Sequence, residues 1–457
     1  MQSWAAEELR YADLGDRRLN RRLVRVVEDL ARQPSASVPQ ASGTWAATKA
    51  VYRFWDSERV APEAIRASHT RSTVERVRGH ELVLAVQDTT NLDFAHHPQT
   101  KGLGPLDNAF QWGLKVHSTL AVSSEGVPLG LLCQEVWARD PASKGSRHRR
   151  RKREIQEKES QRWLTASEAS QQTVPAEVQV VTVADREADI YALFALPRRR
   201  GAHLLIRGTH ERRTGEVGYL WETMRQSPVC GRYTFEVRRK KDAPARQATV
   251  WVRHAHLEIQ PPRHHPKRST LKPVCVQGVL AEEEDPPPGV EPVCWLLLTT
   301  LPVDDLADAQ RCLRWYSYRW LIERYHFVLK SGCRLEQLQL EEAERIQRAL
   351  ATYCIVAWRL LWLTYEARRN PDTPCDQVLE ACEWQALYCR IHRTSQPPET
   401  PPTLWQAVRW IAQLGGFLGR KSDGEPGVKT IWLGLRRLND LAAMWQLLHP
   451  SPSPDSS

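Results

Sequence analysis

Three carboxylates stand where apolar segments give way to polar ones. Asp88 closes the run ELVLAVQD (81–88), Asp185 closes VQVVTVAD (178–185), and Glu323 lies within YSYRWLIERYHFVLK (316–330). Carboxylates are hard oxygen donors, so a convergent trio suits Mg²⁺ or Mn²⁺ rather than zinc. Two such ions roughly 3.5–4 Å apart can activate an attacking oxygen and stabilise a leaving one, which is what phosphodiester cleavage requires. The segment around Glu323 adds to this. If 304–331 is one long helix, Tyr316, Arg319, Glu323 and Lys330 fall within an arc of roughly 60°. That face carries a phenol, a guanidinium, a carboxylate and an ammonium. The cations suit phosphates, and the aromatic suits a sugar or base. A solvated helix face carries the same mixture, so the segment alone leaves both readings open, and spacing does not prove that the acids meet.

The elements that must position these residues read as α/β. Apolar runs at 81–88 and 178–185 and the segment AHLLIR (202–207) read as strands, and 113–123 with 127–137 as a hairpin turning at SEG. READIYALFAL (186–196) reads as a helix between strands. Polar residues just past strand ends in such a sheet lie at its rim, where sites form. Residues 208–300 read as a β-rich insertion with exposed connections RHHPKR and EEEDPPPGVEP; a metal reading of His264 and His265 lacks a second ligand cluster. Helices follow over 304–331, 341–367 and near 375–390, 403–414 and 430–447. The tail HPSPSPDSS reads as disordered.

The first 70 residues read as helical. In 16–32, Leu19, Leu23, Val26 and Leu30 recur at helical spacing, while Arg17, Arg18, Arg21, Arg22 and Arg25 cover the remaining surface. A second helix spans 44–56 with Thr44 as N-cap, and Trp45, Lys49 and Arg53 share one face. Such a face suits phosphate contact with an aromatic alongside, and it equally suits plain solvation. The run SKGSRHRRRKREIQEKES within 138–160 is either a basic loop touching DNA or a solvated one.

The 457 residues carry 64 Lys and Arg against 54 Asp and Glu, a net +10, which favours a polyanionic partner without identifying it. No stretch approaches the roughly 18 apolar residues of a membrane span, and the N-terminus lacks a signal-peptide pattern. Ten cysteines include no CxxC pair. Cys375, Cys382 and Cys389 recur every seven residues, close to one helical face, without zinc spacing. Reduced thiols in a core, in the cytosol, are the reading.

At these residues the chain resembles the Tn-five-like DDE transposases of the insertion-sequence-four family. QDTT (87–90) is similar to the family's first-aspartate motif and VADREADIYA (183–192) to its second. Tyr316, Arg319, Glu323 and Lys330 fit the signature Y-x2-R-x3-E-x6-K at every position. LGDRRLNRRL (14–23), ATKAVYRFW (47–55), GLLCQEVWAR (130–139), EKESQRWL (157–164), PVCWLLLTTLPVDDLADA (292–309) and QAVRWIAQLGGF (406–417) also have counterparts, so the likeness covers essentially the whole chain.

The resemblance implies a ribonuclease-H-like catalytic core with a β-rich insertion at about 208–300, plus helical terminal domains. The expected organisation is a DNA-binding domain 1–72, a catalytic domain 73–370, a dimerisation domain 371–448 and a disordered tail 449–457. It implies Asp88, Asp185 and Glu323 as ligands for two Mg²⁺ ions, with Mn²⁺ able to substitute. It implies nicking at a transposon end, a hairpin intermediate, hairpin opening and joining to target DNA. Hairpinning displaces a base, and Trp295 falls where the family stacks it. Tyr316 and Arg319 would hold the neighbouring phosphate, and Lys330 would contact DNA near the centre. Trp320 and Arg207 match positions close to DNA, and Arg17, Arg18, Arg21, Lys49 and Arg53 belong to the end-binding part. Thr209 departs from the family's lysine, which puts a phosphate contact there in doubt. The implied partners are double-stranded inverted repeats, target DNA and a second copy of the chain, in a prokaryotic cytoplasm. A nuclease without strand transfer and a catalytically silent, transposase-derived DNA-binding protein are the alternatives.

Overall fold

The computed structural model describes residues 3–108, 110–143, 155–215, 218–237, 246–263, 265 and 268–450. The basic stretch 144–154, part of RHHPKR and the tail 451–457 lie outside the described residues. Twelve strands form one sheet: β1 Leu82–Asp93, β2 Gly104–Pro105, β3 Trp112–Ser123, β4 Pro128–Trp137, β5 Gln179–Ala184, β6 Ala202–Arg207, β7 Arg213–Thr214, β8 Gly218–Tyr219, β9 Val229–Val237, β10 Arg246–Ile259, β11 Val274–Glu283 and β12 Cys294–Thr299. β3 pairs antiparallel with both β4 and β1, while β5 and β6 continue parallel to β1. That order, β4-β3-β1-β5-β6, is the ribonuclease-H-like core.

β5 and β6 are apolar on both faces because both faces are covered. Val181, Val183 and Leu205 enter the core beneath the helical side, which also holds Leu321, Ile322 and Tyr325. Their neighbours Ala184, Leu204 and Ile206 enter a second core with Trp163, Phe194 and Met224. The period-2 alternation of a strand assigns them.

Several expectations change on folding. β1 runs on to Asp93, so Asp88 lies within a strand rather than at its end, paired across to Ser118. The segment 186–196 is a 3-10 turn, Arg186–Ala188, and a short helix, Tyr191–Ala195, instead of one helix. The expected β-rich segment continues the core sheet: β12 pairs antiparallel with β6 and carries β11, β10 and β9 onward. It also contains a helix, Leu220–Gln226, packed on β10 and β11. The long helix expected over 304–331 is broken into Leu306–Ser317 and Trp320–Phe327, followed by a π turn Val328–Gly332. At the break, Tyr318 and Arg319 amides reach back to Trp315 and Tyr316 carbonyls, the tighter i−3 pattern.

The terminal regions are helical. Arg17–Arg32 starts at Asp16, whose side chain accepts from the Arg18 amide at 2.7 Å. Trp45–Asp56 starts at Thr44, which caps the Ala47 amide at 3.2 Å. The helix Ala343–Arg369 joins both terminal regions to the sheet. Ala381–His392, Leu404–Leu414 and Val428–Leu448 form the C-terminal bundle around Leu387, Ile411 and Ile431. Cys375 precedes the first of these helices, and all ten cysteines are free. Among the described residues no helix is long and apolar enough to cross a membrane.

Candidate active site

The parallel pairing of β1 with β5 ends at Val86↔Val183. Carried forward two residues, this register sets Asp88 beside Asp185, about 5 Å from strand to strand. Both carboxylates then share the face of Val86 and Val183, toward the helix Trp320–Phe327. Burial and the neighbouring Asp88 charge raise the Asp185 carboxyl above its ordinary value, against the Glu187 amide that Asp185 accepts from at 2.9 Å. Burial pushes Asp88 up too. There His326, Arg319 and the Thr89 amide outweigh it and hold Asp88 below its ordinary value.

Glu323 comes from above. Its carboxylate is ion-paired with Arg319, one turn earlier. Burial works against the Arg319 charge, but the neighbouring Tyr316 and the Glu323 and Asp88 carboxylates outweigh it and raise its pKa. His326, one turn after Glu323, brings Nδ1 to 3.6 Å from Asp88 Oδ2, beyond hydrogen-bond length. Its Nε2 is buried and unpartnered.

Around this pocket lie the other expected contacts. Tyr316 is buried with the Arg207 charge nearby, and Arg207 donates to the Cys294 carbonyl at 3.2 Å. Trp295 is half-buried, stacked on Phe235 at 5.2 Å and edge-on to Tyr316 at 5.4 Å. Trp320 is exposed. Thr209 gives its amide to Asp189 rather than facing the acids through a cation. Lys330 reaches the strand that carries Asp88. It lies in the π turn, donates to the Asn91 carbonyl at 2.8 Å and pairs with Glu336 at 3.2 Å. The single helix expected over 304–331 is thus interrupted at Tyr318 and Arg319, while Arg319 still neighbours both Tyr316 and Glu323.

The donor chemistry suits a hard cation. A divalent ion between Asp88 and Asp185 would remove the repulsion that raises Asp185. The trio is not pre-gathered, however: among the described residues no three His, Cys, Asp or Glu side chains cluster closely enough to hold a metal. Arg319 is the cation that engages Glu323 in this state.

On the N-terminal helices, Arg18, Lys49 and Arg53 line one groove of about 570 Å³, joined by Arg22 and Arg59. Arg17 and Arg21 are exposed but outside it. Trp45, 79% exposed, stands on the same helix as Lys49 and Arg53.

Two groups escaped the sequence reading. Asp189 is buried and accepts the Thr209 and His210 amides, each at 2.8 Å, and Arg212. His117 is buried beneath the site, its pKa driven down to about 3 by burial and Arg162, with Thr89 Oγ1 at 2.8 Å. The repeated acid in DREAD was the only signal for the first. His117 had none.

The chain matches the transposase DNA-binding family over residues 1–60, the transposase DDE domain over 134–359 and the transposase Tn5 dimerisation domain over 355–444. Asp185 and Glu323 fall within the second span; Asp88 lies before it. Among solved structures the chain is similar to a piggyBac transposase synaptic complex with hairpin DNA. The identity is 9% over 100% of this chain and 80% of that one, with a TM-score of 0.38, a likeness too low to carry an argument.

Proposed function

Because this chain is a Tn5-like DDE transposase, we propose that it is a working cut-and-paste enzyme whose metal-holding groups are Asp88, Asp185 and Glu323. Its substrates are transposon-end inverted repeats and target DNA, and its route passes through a hairpin. Residues 1–72 bind ends, 73–370 carry the chemistry, 371–448 join two copies, and 449–457 form a tail. The setting is a prokaryotic cytoplasm, with the protein on the nucleoid.

Two Mg²⁺ ions, or Mn²⁺ in their place, would supply activation of the attacking oxygen and relief of charge on the leaving one. The chain's residues do the rest. Asp88 and Asp185 present paired oxygens from a rigid sheet. Arg319 exchanges Glu323 for a backbone phosphate, which frees Glu323 to turn toward the aspartates. Arg207 and Tyr316 border that phosphate. Trp295 receives the displaced base once Phe235 yields its face, or on the face opposite. Trp320 and Lys330 meet DNA at the margin, and Lys49, Arg53, Arg17, Arg18 and Arg21 grip the end.

The observation that supports this reading most is the β1–β5 register, which continued two residues past Val86↔Val183 brings Asp88 alongside Asp185, both within the field of Arg319. One observation favours a silent DNA-binding protein instead: Glu323 is engaged by Arg319 rather than gathered with the aspartates. A nicking assay on end duplexes with Mg²⁺ separates the two. Asp88→Asn, Asp185→Asn and Glu323→Gln should each abolish nicking and leave end affinity within a few-fold. Wild-type protein that binds ends but never nicks them establishes the silent reading, and a variant that nicks at full rate removes its residue from the trio.

A further inference from the structure

The loop entering β6 carries Arg198, Arg199 and Arg200 in succession. Arg199 serves the fold, donating to the Pro175, Ala176 and Val178 carbonyls after the helix Gln161–Thr173. Arg198 is half-buried, with one amino group directed to the Phe194 and Leu196 carbonyls. Arg200 is exposed, and across from it the strand-entry segment before β11 brings exposed Lys272. These cations line one cleft of about 750 Å³ that also contains His203 and Thr300. None of the described residues lining it is acidic.

On the same extended sheet, two other exposed arginines do have carboxylate partners: Arg225 pairs with Glu282 and Arg232 with Glu284. In the cleft, like charges converge without one. Burial lowers both Arg198 and His203, and the Arg198 charge lowers His203 further. Such a gathering is costly until an anion enters it. The guanidiniums offer forked donation, and Lys272 a point charge.

The cleft is remote from the carboxylates. β5 and β6 run parallel, so Asp185 follows β5 at the level where β6 ends, whereas Arg198–Arg200 precede Ala202 where β6 begins. Along the strand that separation is about 17 Å. The scissile phosphate therefore does not reach it.

We propose that this cleft is a second phosphate-binding site, on the sheet rim opposite the acids. Its occupant is a phosphate of a DNA segment separate from the one being cut, or a free polyphosphate ion. Arg200→Gln/Lys272→Gln in the full-length chain tests it, since both side chains are exposed and neither belongs to the proposed cleavage machinery. Affinity for a non-specific duplex is followed against salt by fluorescence anisotropy, and the thermal midpoint against added pyrophosphate. Arg225→Gln/Arg232→Gln removes the same charge from paired arginines and serves as control.

If DNA is the occupant, the salt slope of log K falls by about 1.8, two contacts at roughly 0.9 each, and the control leaves it unmoved. If a free anion is the occupant, pyrophosphate raises the midpoint of wild type and control but not of the variant, and the slope is unchanged. Should the double variant not fold, either single variant should show half the slope change or a weakened midpoint shift. An unchanged slope together with equal pyrophosphate response in all proteins overturns the proposal. So does a control that shifts as far as the variant. Loss of nicking in the Asp88, Asp185 and Glu323 variants bears on none of these readouts.

Discussion

Asp189 is enclosed by protein, yet it remains stable there because amides and a guanidinium surround it. It accepts from Thr209 and His210 and pairs with Arg212, which lies over the Phe194 ring at 5.6 Å. Replacing it with Ala would leave those donors buried and unmatched. Unfolding in urea should then register a loss of about 3 kcal/mol. Since the same carboxylate fixes the loop after Arg207, nicking should fall as well. The sequence pointed to Asp88, Asp185 and Glu323 because their types and order match a known chemistry. Beyond the repeated acid of DREAD, nothing marked Asp189, for a physical reason: its partners come from a loop twenty residues on, and nothing in a one-dimensional reading places that loop over it. The π turn that holds Lys330 was equally hidden, because its partner, the Asn91 carbonyl, lies 239 residues away.

At the scale of elements, hydrophobic periodicity located most strands and helices but not where they stop. It runs through Tyr318 and Arg319 without Gly or Pro, so no local signal marks the break between Leu306–Ser317 and Trp320–Phe327. β1 likewise continues past Asp88 because β3 offers it a partner as far as Gly113. Where elements cross, small residues decide the fit. In the C-terminal bundle, Gly434 of Val428–Leu448 abuts Leu404–Leu414 so closely that an added Cβ would stand 1.7 Å from the Ile411 carbonyl oxygen. Gly434→Ala should force the helices apart and cost at least about 2 kcal/mol. Thermal unfolding and the dimer fraction in sedimentation should fall together; an unaltered midpoint would mean that the helices slide freely.

The whole molecule is tied together by a buried contact between its first helix and its catalytic core. His69 Nε2 accepts the Leu131 amide at 3.0 Å, so its proton is on Nδ1 and faces Glu8 Oε1 at 2.6 Å. Arg76 adds a forked pair to the same carboxylate, at 2.7 and 3.1 Å. Burial pushes Glu8 up, but His69 and Arg76 prevail and its pKa is lowered from 4.5. A carboxyl lowered by folding contributes stability that is complete above its ordinary pKa and disappears as pH falls through the folded value. Wild type should therefore lose more stability than Glu8→Gln on acidification from pH 6 through the Glu8 pKa, measured by urea unfolding. Equal slopes would remove Glu8 from the linkage.

Charge and apolar surface set the external behaviour. Arg53 lines the N-terminal groove, so Arg53→Ala should weaken end binding and reduce its salt slope by about 0.9 if it meets one phosphate. Met444, Leu447 and Leu448 are exposed at the end of Val428–Leu448, Met444 as the last residue matching the dimerisation domain and the two leucines just beyond it. Leu447→Ser/Leu448→Ser should raise the dimer dissociation constant at least tenfold in sedimentation.

The sheet has one more consequence, and it concerns synthesis. Asp88 and Glu323 are 235 residues apart (323 − 88), and the strands between them include those that complete the sheet. At translation rates of about 5–20 residues per second, roughly 12–47 s separate their emergence from the ribosome. The arginines of the N-terminal groove leave the ribosome before either acid, but the helix Ala343–Arg369 that packs on their helices leaves after Glu323. The DNA grip is therefore completed only after all three acids have been made.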